Sequence, residues 1–186
     1  MTPHRFNVKD RNKLDESWRW RIQPAQEIID RAAINGSETC LDLGCGIGYI
    51  SIPLAARGAN VIALDIERIM LDTLLKKTPS MLRDRIIPLL CKLPLLPLKS
   101  AVVDHVVAVN VVHEVDAKEL LVNEIARVLK SGGRVSVVDF QKKPASFGPP
   151  LHERLSFEEM LNLFSRFSLK ARFIFDEFYQ LEFSKY

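Results

Sequence analysis

The chain is short of cysteine, short of net charge and free of long apolar runs, and each shortage closes off a class of function. Its three cysteines, Cys40, Cys45 and Cys91, are an odd number with neither a CxxC pair nor a zinc-ligand spacing. Neither a disulfide framework nor a metal site is therefore expected, and a reduced, cytoplasmic setting is the simpler one. The net charge is only +3, with Lys and Arg interleaved with acids. That pattern describes a solvated surface better than the one-faced basic patch of a nucleic-acid module. No apolar run approaches the roughly 18 residues that span a bilayer, and Met1 to Phe6 lacks an apolar leader core, so no membrane partner is expected. Internal repeats and low-complexity stretches are missing too.

What is present is an ordinary globular composition, 47% hydrophobic over 186 residues, enough for a single domain with a normal core. Residues 1–36 read as an N-terminal helical cap, with Pro24 opening a helix over 25–33 and Asn35-Gly36 closing it. Residues 37–186 read as the core. There short Val/Ile/Leu runs at 39–43, 60–65, 85–90, 105–111 and 134–140 alternate with helical patterns at 49–57, 68–77 and 117–130. Unbroken apolar runs suit strands covered on both faces, as in a parallel sheet. The ending differs: a helix over 156–166, with Ser156 and Glu159 at capping-box spacing, precedes two strands separated only by Asp176-Glu177. Two residues cannot make a parallel crossover, so this pair is an antiparallel hairpin.

The chemistry concentrates at the end of the first strand, Leu41-Asp42-Leu43-Gly44-Cys45-Gly46-Ile47-Gly48. Glycines there let the backbone turn tightly and approach a ligand beyond the strand's carboxyl end. The spacing is G-x-G-x-G, whereas the dinucleotide fingerprint needs a third glycine where Tyr49 stands. Asp42, just before the loop, would repel a pyrophosphate but suits a ligand bearing an ammonium and a sulfonium. Asp65, ending the next strand, is placed to accept the hydroxyls of a ribose. These details favour S-adenosylmethionine over NAD.

Cys40 to Asp65 resembles motif I and the following acidic strand end of class I S-adenosylmethionine-dependent methyltransferases. Leu96-Pro97-Leu98 through Val103-Asp104, Asn110 to Val115, and Glu124 to Val138 are similar to segments of the ubiquinone/menaquinone-biosynthesis-type group, also called type 11. Phe6 to Leu14 and Gly148-Pro149-Pro150 look like a small prokaryotic branch of it. The resemblance implies a Rossmann-like α/β fold, a seven-stranded, mostly parallel sheet of order 3-2-1-4-5-7-6 with strand 7 antiparallel and helices on both faces. It implies that Asp42 and the loop Gly44, Cys45, Gly46 and Gly48 hold the methionine part of the cofactor. Asp65 would take the ribose, Ile66 would cover the adenine, Cys91, Lys92 and Leu93 would reach its edge, and Asn110 would line the methionine side. One departure stands out. The group's acid near position 91 or 92 is replaced by Cys91 and Lys92, which leaves adenine recognition to backbone groups.

The expected activity is methyl transfer from S-adenosylmethionine to a small-molecule acceptor, with S-adenosylhomocysteine as product. A protein or RNA acceptor, or cofactor binding without transfer, is the alternative; the sequence does not indicate an oligomeric state. Candidate groups at strand ends are His113, Glu114, Asp139 and Gln141. Of these His113 is the general-base candidate, since an unperturbed imidazole accepts a proton near neutrality. Glu114 is expected to favour the start of the next helix and Asp139 to fix a loop. Lys142 and Lys143 offer a binding point for an acidic substrate. Residues 141–155 and the segment around Trp18 and Trp20 are expected to wall the acceptor pocket. Asn110-Val111-Val112-His113 is not the Asn/Asp-Pro-Pro-aromatic motif of base amino-methylating enzymes, and no Pro-Cys pair serves pyrimidine chemistry.

Overall fold

The glycine- and proline-bounded apolar runs do become strands. The structure, a computed structural model, describes residues 17–145 and 147–186; Phe6 to Leu14 lie outside the described residues. The strands are β1 (Thr39–Leu43), β2 (Asn60–Asp65), β3 (Ile86–Leu90), β4 (Val103–Val109), β5 (Leu129–Phe140), β6 (Ser168–Ile174) and β7 (Phe178–Ser184). They form one sheet of order β3-β2-β1-β4-β5-β7-β6. β1 to β5 pair in parallel, and β7 runs antiparallel to both β5 and β6. This is the expected Rossmann-like topology.

Alternate residues of the inner strands point to opposite faces, and both faces are buried. Leu41, Leu43, Val106 and Ala108 join a core covered by helices α5 (Lys118–Val128) and α6 (Phe157–Leu163). Cys40, Val61, Val107 and Val109 join the opposite core, covered by α2 (Ala25–Arg31), α3 (Ser51–Ala56) and α4 (Arg68–Lys77). A short helix α1 (Ser17–Ile22) precedes α2. Helix α6 carries the expected capping box: the Glu159 N–H donates to Ser156 Oγ at 3.2 Å, and the Ser156 N–H to Glu159 Oε2 at 2.6 Å. Among the described residues no helix is long and apolar enough to cross a membrane.

Two boundaries moved for identifiable reasons. β4 stops at Val109 rather than 111 because Asn110 takes a left-handed φ of 56°, which ends a strand. β5 begins at Leu129, inside the stretch read as helix end and loop. Leu129 pairs with Val103 and Arg134 with His105, so a bulge lies between, with Gly132 at φ 70° absorbing the extra residues.

Candidate functional site

Beyond the carboxyl ends of β1, β2 and β4 lies a cleft of about 770 Å³, the position at which open α/β sheets bind ligands. At its floor the chain leaves β1 and turns at Gly44, φ 66°, where an added Cβ would sit 2.7 Å from Val111 Cγ2. The backbone therefore approaches the opposite wall as no other residue would permit. Gly44, Cys45, Gly46 and Ile47 line the cleft, but Gly48 is not among the lining residues. It packs outward: at φ 95°, a Cβ there would lie 2.3 Å from Leu74 Cδ1. Gly48→Ala is accordingly expected to cost about 2–4 kcal/mol of stability, from the left-handed backbone and overpacking together, read as a lowered urea midpoint.

Asp42 is buried beneath the loop, and its Oδ2 accepts a 2.5 Å hydrogen bond from the Ser51 hydroxyl. Burial pushes this carboxyl up to about 7, against the opposing pull of Ser51 and the Arg19 guanidinium. Asp65 closes β2 with both oxygens in use: Oδ2 accepts from the Gly46 N–H at 2.8 Å and Oδ1 from the Glu67 N–H at 2.9 Å. Its first task is thus to hold the glycine loop, and burial raises its carboxyl as well. Ile66, Cys91, Lys92 and Leu93 line the adjoining wall.

Helix α1 closes the side of the cleft near Asp42. Asn110 and Gln23 exchange amide hydrogen bonds of 2.9 and 3.2 Å. The Tyr49 hydroxyl donates to the Gln23 carbonyl at 2.6 Å, and the Arg19 guanidinium lies 3.9 Å from the Tyr49 ring centroid. Arg19 lines the cleft, whereas Trp20 packs against Tyr49 with ring centroids 4.7 Å apart and planes tilted by 55°, and is 45% exposed. The Trp18 side chain lies outside the described residues. Sequence reasoning passed over Arg19, and nothing in Ser17-Trp18-Arg19-Trp20-Arg21 separates it from Arg21.

At the β4–β5 end stands His113, 3% exposed, in a short turn after β4. Its Nδ1 is 2.7 Å from Asp139 Oδ1 at the end of β5, an oxygen that also accepts the Phe140 N–H at 2.8 Å. An ionised Asp139 accepts the Nδ1 proton and leaves the Nε2 lone pair toward the cleft. Burial disfavours protonated His113, but the Asp139 charge and hydrogen bond, helped by Glu114 and Glu153, outweigh it and raise the imidazole. Glu114 lines the cleft, with Oε1 3.9 Å from His113 Nε2.

Other candidates fall away. The Gln141 amide donates to the Phe175 and Asp176 carbonyls in the terminal hairpin turn. Lys142 pairs with Glu159, and Lys143 with Glu177; neither lines the cleft. Cys45 is buried, and burial raises its thiol well above the usual range, so it is no nucleophile. From the 141–155 connection, Phe147, Gly148 and Pro149 line the wall beside Phe140. Buried Arg154 holds that connection by donating to the carbonyls of Gln141, Lys143, Phe147 and Pro149. The arrangement offers a buried acid at one end, an imidazole at the other, and walls from α1 and from the connection between β5 and α6.

Residues 41–137 match the model of a family described as a methyltransferase domain. The chain is 35% identical over 112 residues to an uncharacterized methyltransferase of Mycobacterium tuberculosis H37Rv, covering 60% of this chain and 44% of that protein. It is 28% identical over 127 residues to the ubiquinone/menaquinone biosynthesis C-methyltransferase UbiE of Syntrophotalea carbinolica, 67% of this chain and 51% of that one. The chain thus spans about half the length of these curated relatives. The crystal structure of a SAM dependent methyltransferase from Aquifex aeolicus shares the fold, with TM-score 0.90 at 19% identity over 98% of this chain and 100% of the other.

Proposed function

Because the chain belongs to the S-adenosylmethionine-dependent methyltransferases, by a family match spanning residues 41–137, we propose that it transfers a methyl group to a small-molecule acceptor. Residues 17–36 act in this reading as a cap on the same catalytic unit. The observation that carries the proposal is Asp42, a buried carboxylate that lines a glycine-walled cleft and, among the described residues, is hydrogen-bonded by Ser51 alone. A buried acid raised by burial gains most from a cation, and the cofactor's ammonium is one; Arg19, which draws on Asp42, suits its carboxylate. Asp65 would share its oxygens between the loop and the ribose hydroxyls, Ile66 would cover the adenine, and the Cys91–Leu93 wall would meet its edge through backbone groups. Asn110, held by Gln23, would line the methionine side.

When bound, S-adenosylmethionine supplies an electrophilic methyl on sulfur. The chain's own residues position the acceptor, exclude water and receive a proton at His113 Nε2. The His113–Asp139 pair favours an enzyme over a mere binder, since a binder needs no oriented base. The walls formed by Arg19 and Phe147–Pro149 favour a small acceptor over a folded protein or RNA.

Calorimetric titration with S-adenosylmethionine tests the reading through its pH dependence. The ammonium requires Asp42 ionised, and its free carboxyl titrates near 7. Below about 7, binding must expel a proton, so affinity is expected to fall by up to tenfold per pH unit, with Asp65 contributing in the same direction. Above 7 it levels off. Absence of binding, or an affinity flat from pH 5 to 8, counts against Asp42 as the cofactor's partner.

A further inference from the structure

Resting on that transferase reading, we infer that Gln23 is a positioning residue for the methionine end of the cofactor. It meets no ligand itself and acts by holding the Asn110 amide, and the end of helix α1 with it, in one setting.

The sequence places Gln23 at a break. Pro24 has no N–H to give to a continuing helix, and it pushes the residue before it out of helical geometry. Helix α1 therefore ends at Ile22 and α2 starts at Ala25. Gln23 lies between them, only 4% exposed, and is held at backbone and side chain alike. Its N–H donates to the Arg19 carbonyl at 2.9 Å, which closes the last turn of α1. Its carbonyl accepts the Tyr49 hydroxyl at 2.6 Å, and its amide exchanges bonds of 2.9 and 3.2 Å with Asn110. One residue thus fastens the end of α1 both to Tyr49, directly after the glycine loop, and to the end of β4.

Asn110 is the receiving side. Its φ of 56° turns the chain out of β4, its N–H is committed to the Val138 carbonyl at 2.8 Å, and it lines the cleft, whereas Gln23 does not. With the backbone anchored, only the orientation of the amide is left to settle. Two bonds in opposite directions settle it, because turning the Asn110 amide over against a fixed Gln23 would set N–H against N–H and oxygen against oxygen. The pair leaves Asn110 one N–H and one oxygen lone pair for a ligand whose methionine end carries both donors and acceptors. Packing a cap on a sheet does not call for this, since an apolar pair of the same shape would serve stability about as well. What the amide pair adds is direction. Its effect is local by the strand order: Asp65 and Ile66 stand at the end of β2 and Cys91 just after β3, whereas Asn110 follows β4, on the other side of β1. Loosening Asn110 therefore reaches the methionine half of the ligand and spares the adenosine half.

The test compares S-adenosylhomocysteine with adenosine, which lacks the methionine half, by calorimetry on wild type, Gln23→Met, Asn110→Gly and the double variant, with Gln23→Leu alongside. Methionine keeps the unbranched length of glutamine without its amide, and glycine at 110 accepts the left-handed φ. Adenosine binding also counts the folded sites in each preparation. Gln23→Met is expected to bind S-adenosylhomocysteine about tenfold more weakly, a loss of about 1.4 kcal/mol, with adenosine affinity within about twofold of wild type. In the Asn110→Gly background the same exchange should change S-adenosylhomocysteine affinity by less than about twofold, because the group through which Gln23 acts is gone. Equal losses for the two ligands, an unchanged affinity for S-adenosylhomocysteine, or an undiminished effect of Gln23→Met in Asn110→Gly overturns the inference while the cofactor reading stands. Failure of wild type to bind S-adenosylhomocysteine overturns the cofactor reading and the inference with it.

Discussion

Exchanging Asp42 for asparagine is expected to weaken S-adenosylmethionine binding by about 100-fold or more while leaving the protein at least as stable. Asparagine keeps the volume and still offers an oxygen to the Ser51 hydroxyl, so the buried hydrogen bond survives. What it removes is the charge. Truncating one partner of a buried charge pair costs roughly 2–5 kcal/mol, and about 3 kcal/mol corresponds to a hundredfold in affinity. The stability side has the opposite sign. Burial raises the folded-state carboxyl from 3.8 to about 7, so the neutral form is the one the fold prefers. Its contribution is complete below the unfolded value and is lost as pH rises through about 7. Without ligand, the wild-type protein therefore bears an ionised buried acid at pH 8, a cost of at most about 4 kcal/mol by the size of the shift. The asparagine variant escapes it. Urea unfolding at pH 8 should find the variant more stable than wild type, and at pH 4 nearly equal. Unchanged affinity would remove Asp42 from the cofactor site.

This division of labour at Asp42 shows what a sequence can and cannot display. The strand frame was legible because burial on both faces leaves runs such as Val106 to Val109 unbroken, and because a connection as short as the three residues between β6 and β7 permits only a hairpin. The glycine loop was legible because tight turns restrict residue type. Long-range pairings were not. His113 and Asp139 meet only because β4 and β5 lie side by side, with Val109 opposite Val138. Residues 135–140 of β5 are buried on both faces, so the polar positions Ser136 and Asp139 give no simple alternation from which to read the face Asp139 takes, and the bulge at Gly132 shifts its register with β4. Gly48 illustrates the converse: it lies outside the cleft lining and its missing Cβ makes room for Leu74, a packing use that a motif cannot separate from a ligand-facing one. Arg19 and Phe147 reach the cleft from segments whose approach is set by tertiary contacts, the Gln23–Asn110 amide pair and the Arg154 carbonyl clasp.

The His113–Asp139 pair carries the other large expectation. His113→Ala should lower methyl transfer by roughly 10²-fold or more, the usual size of a lost general base, with S-adenosylmethionine affinity nearly unchanged. That variant alone is ambiguous, because it leaves Asp139 buried without its ring partner and should cost about 1–3 kcal/mol of stability. Asp139→Asn resolves it. The amide keeps the shape and its oxygen can still accept the Phe140 N–H, but the charge that favours protonated His113 is gone. With that carboxylate in place, the imidazole is raised above its ordinary value. Transfer needs the neutral ring, so wild-type turnover should climb with pH through that raised value and then level off. Without the carboxylate, burial is left to dominate, and the rising limb should move to lower pH. The plateau should also fall, by tenfold or more, because an amide no longer fixes the tautomer that presents Nε2 to the cleft. A merely structural Asp139 would lower melting temperature without moving the limb. Turnover from pH 5.5 to 9 on folded protein, with cofactor saturating at each pH, separates the cases: a limb at the same pH in wild type and Asp139→Asn would end the general-base assignment of His113.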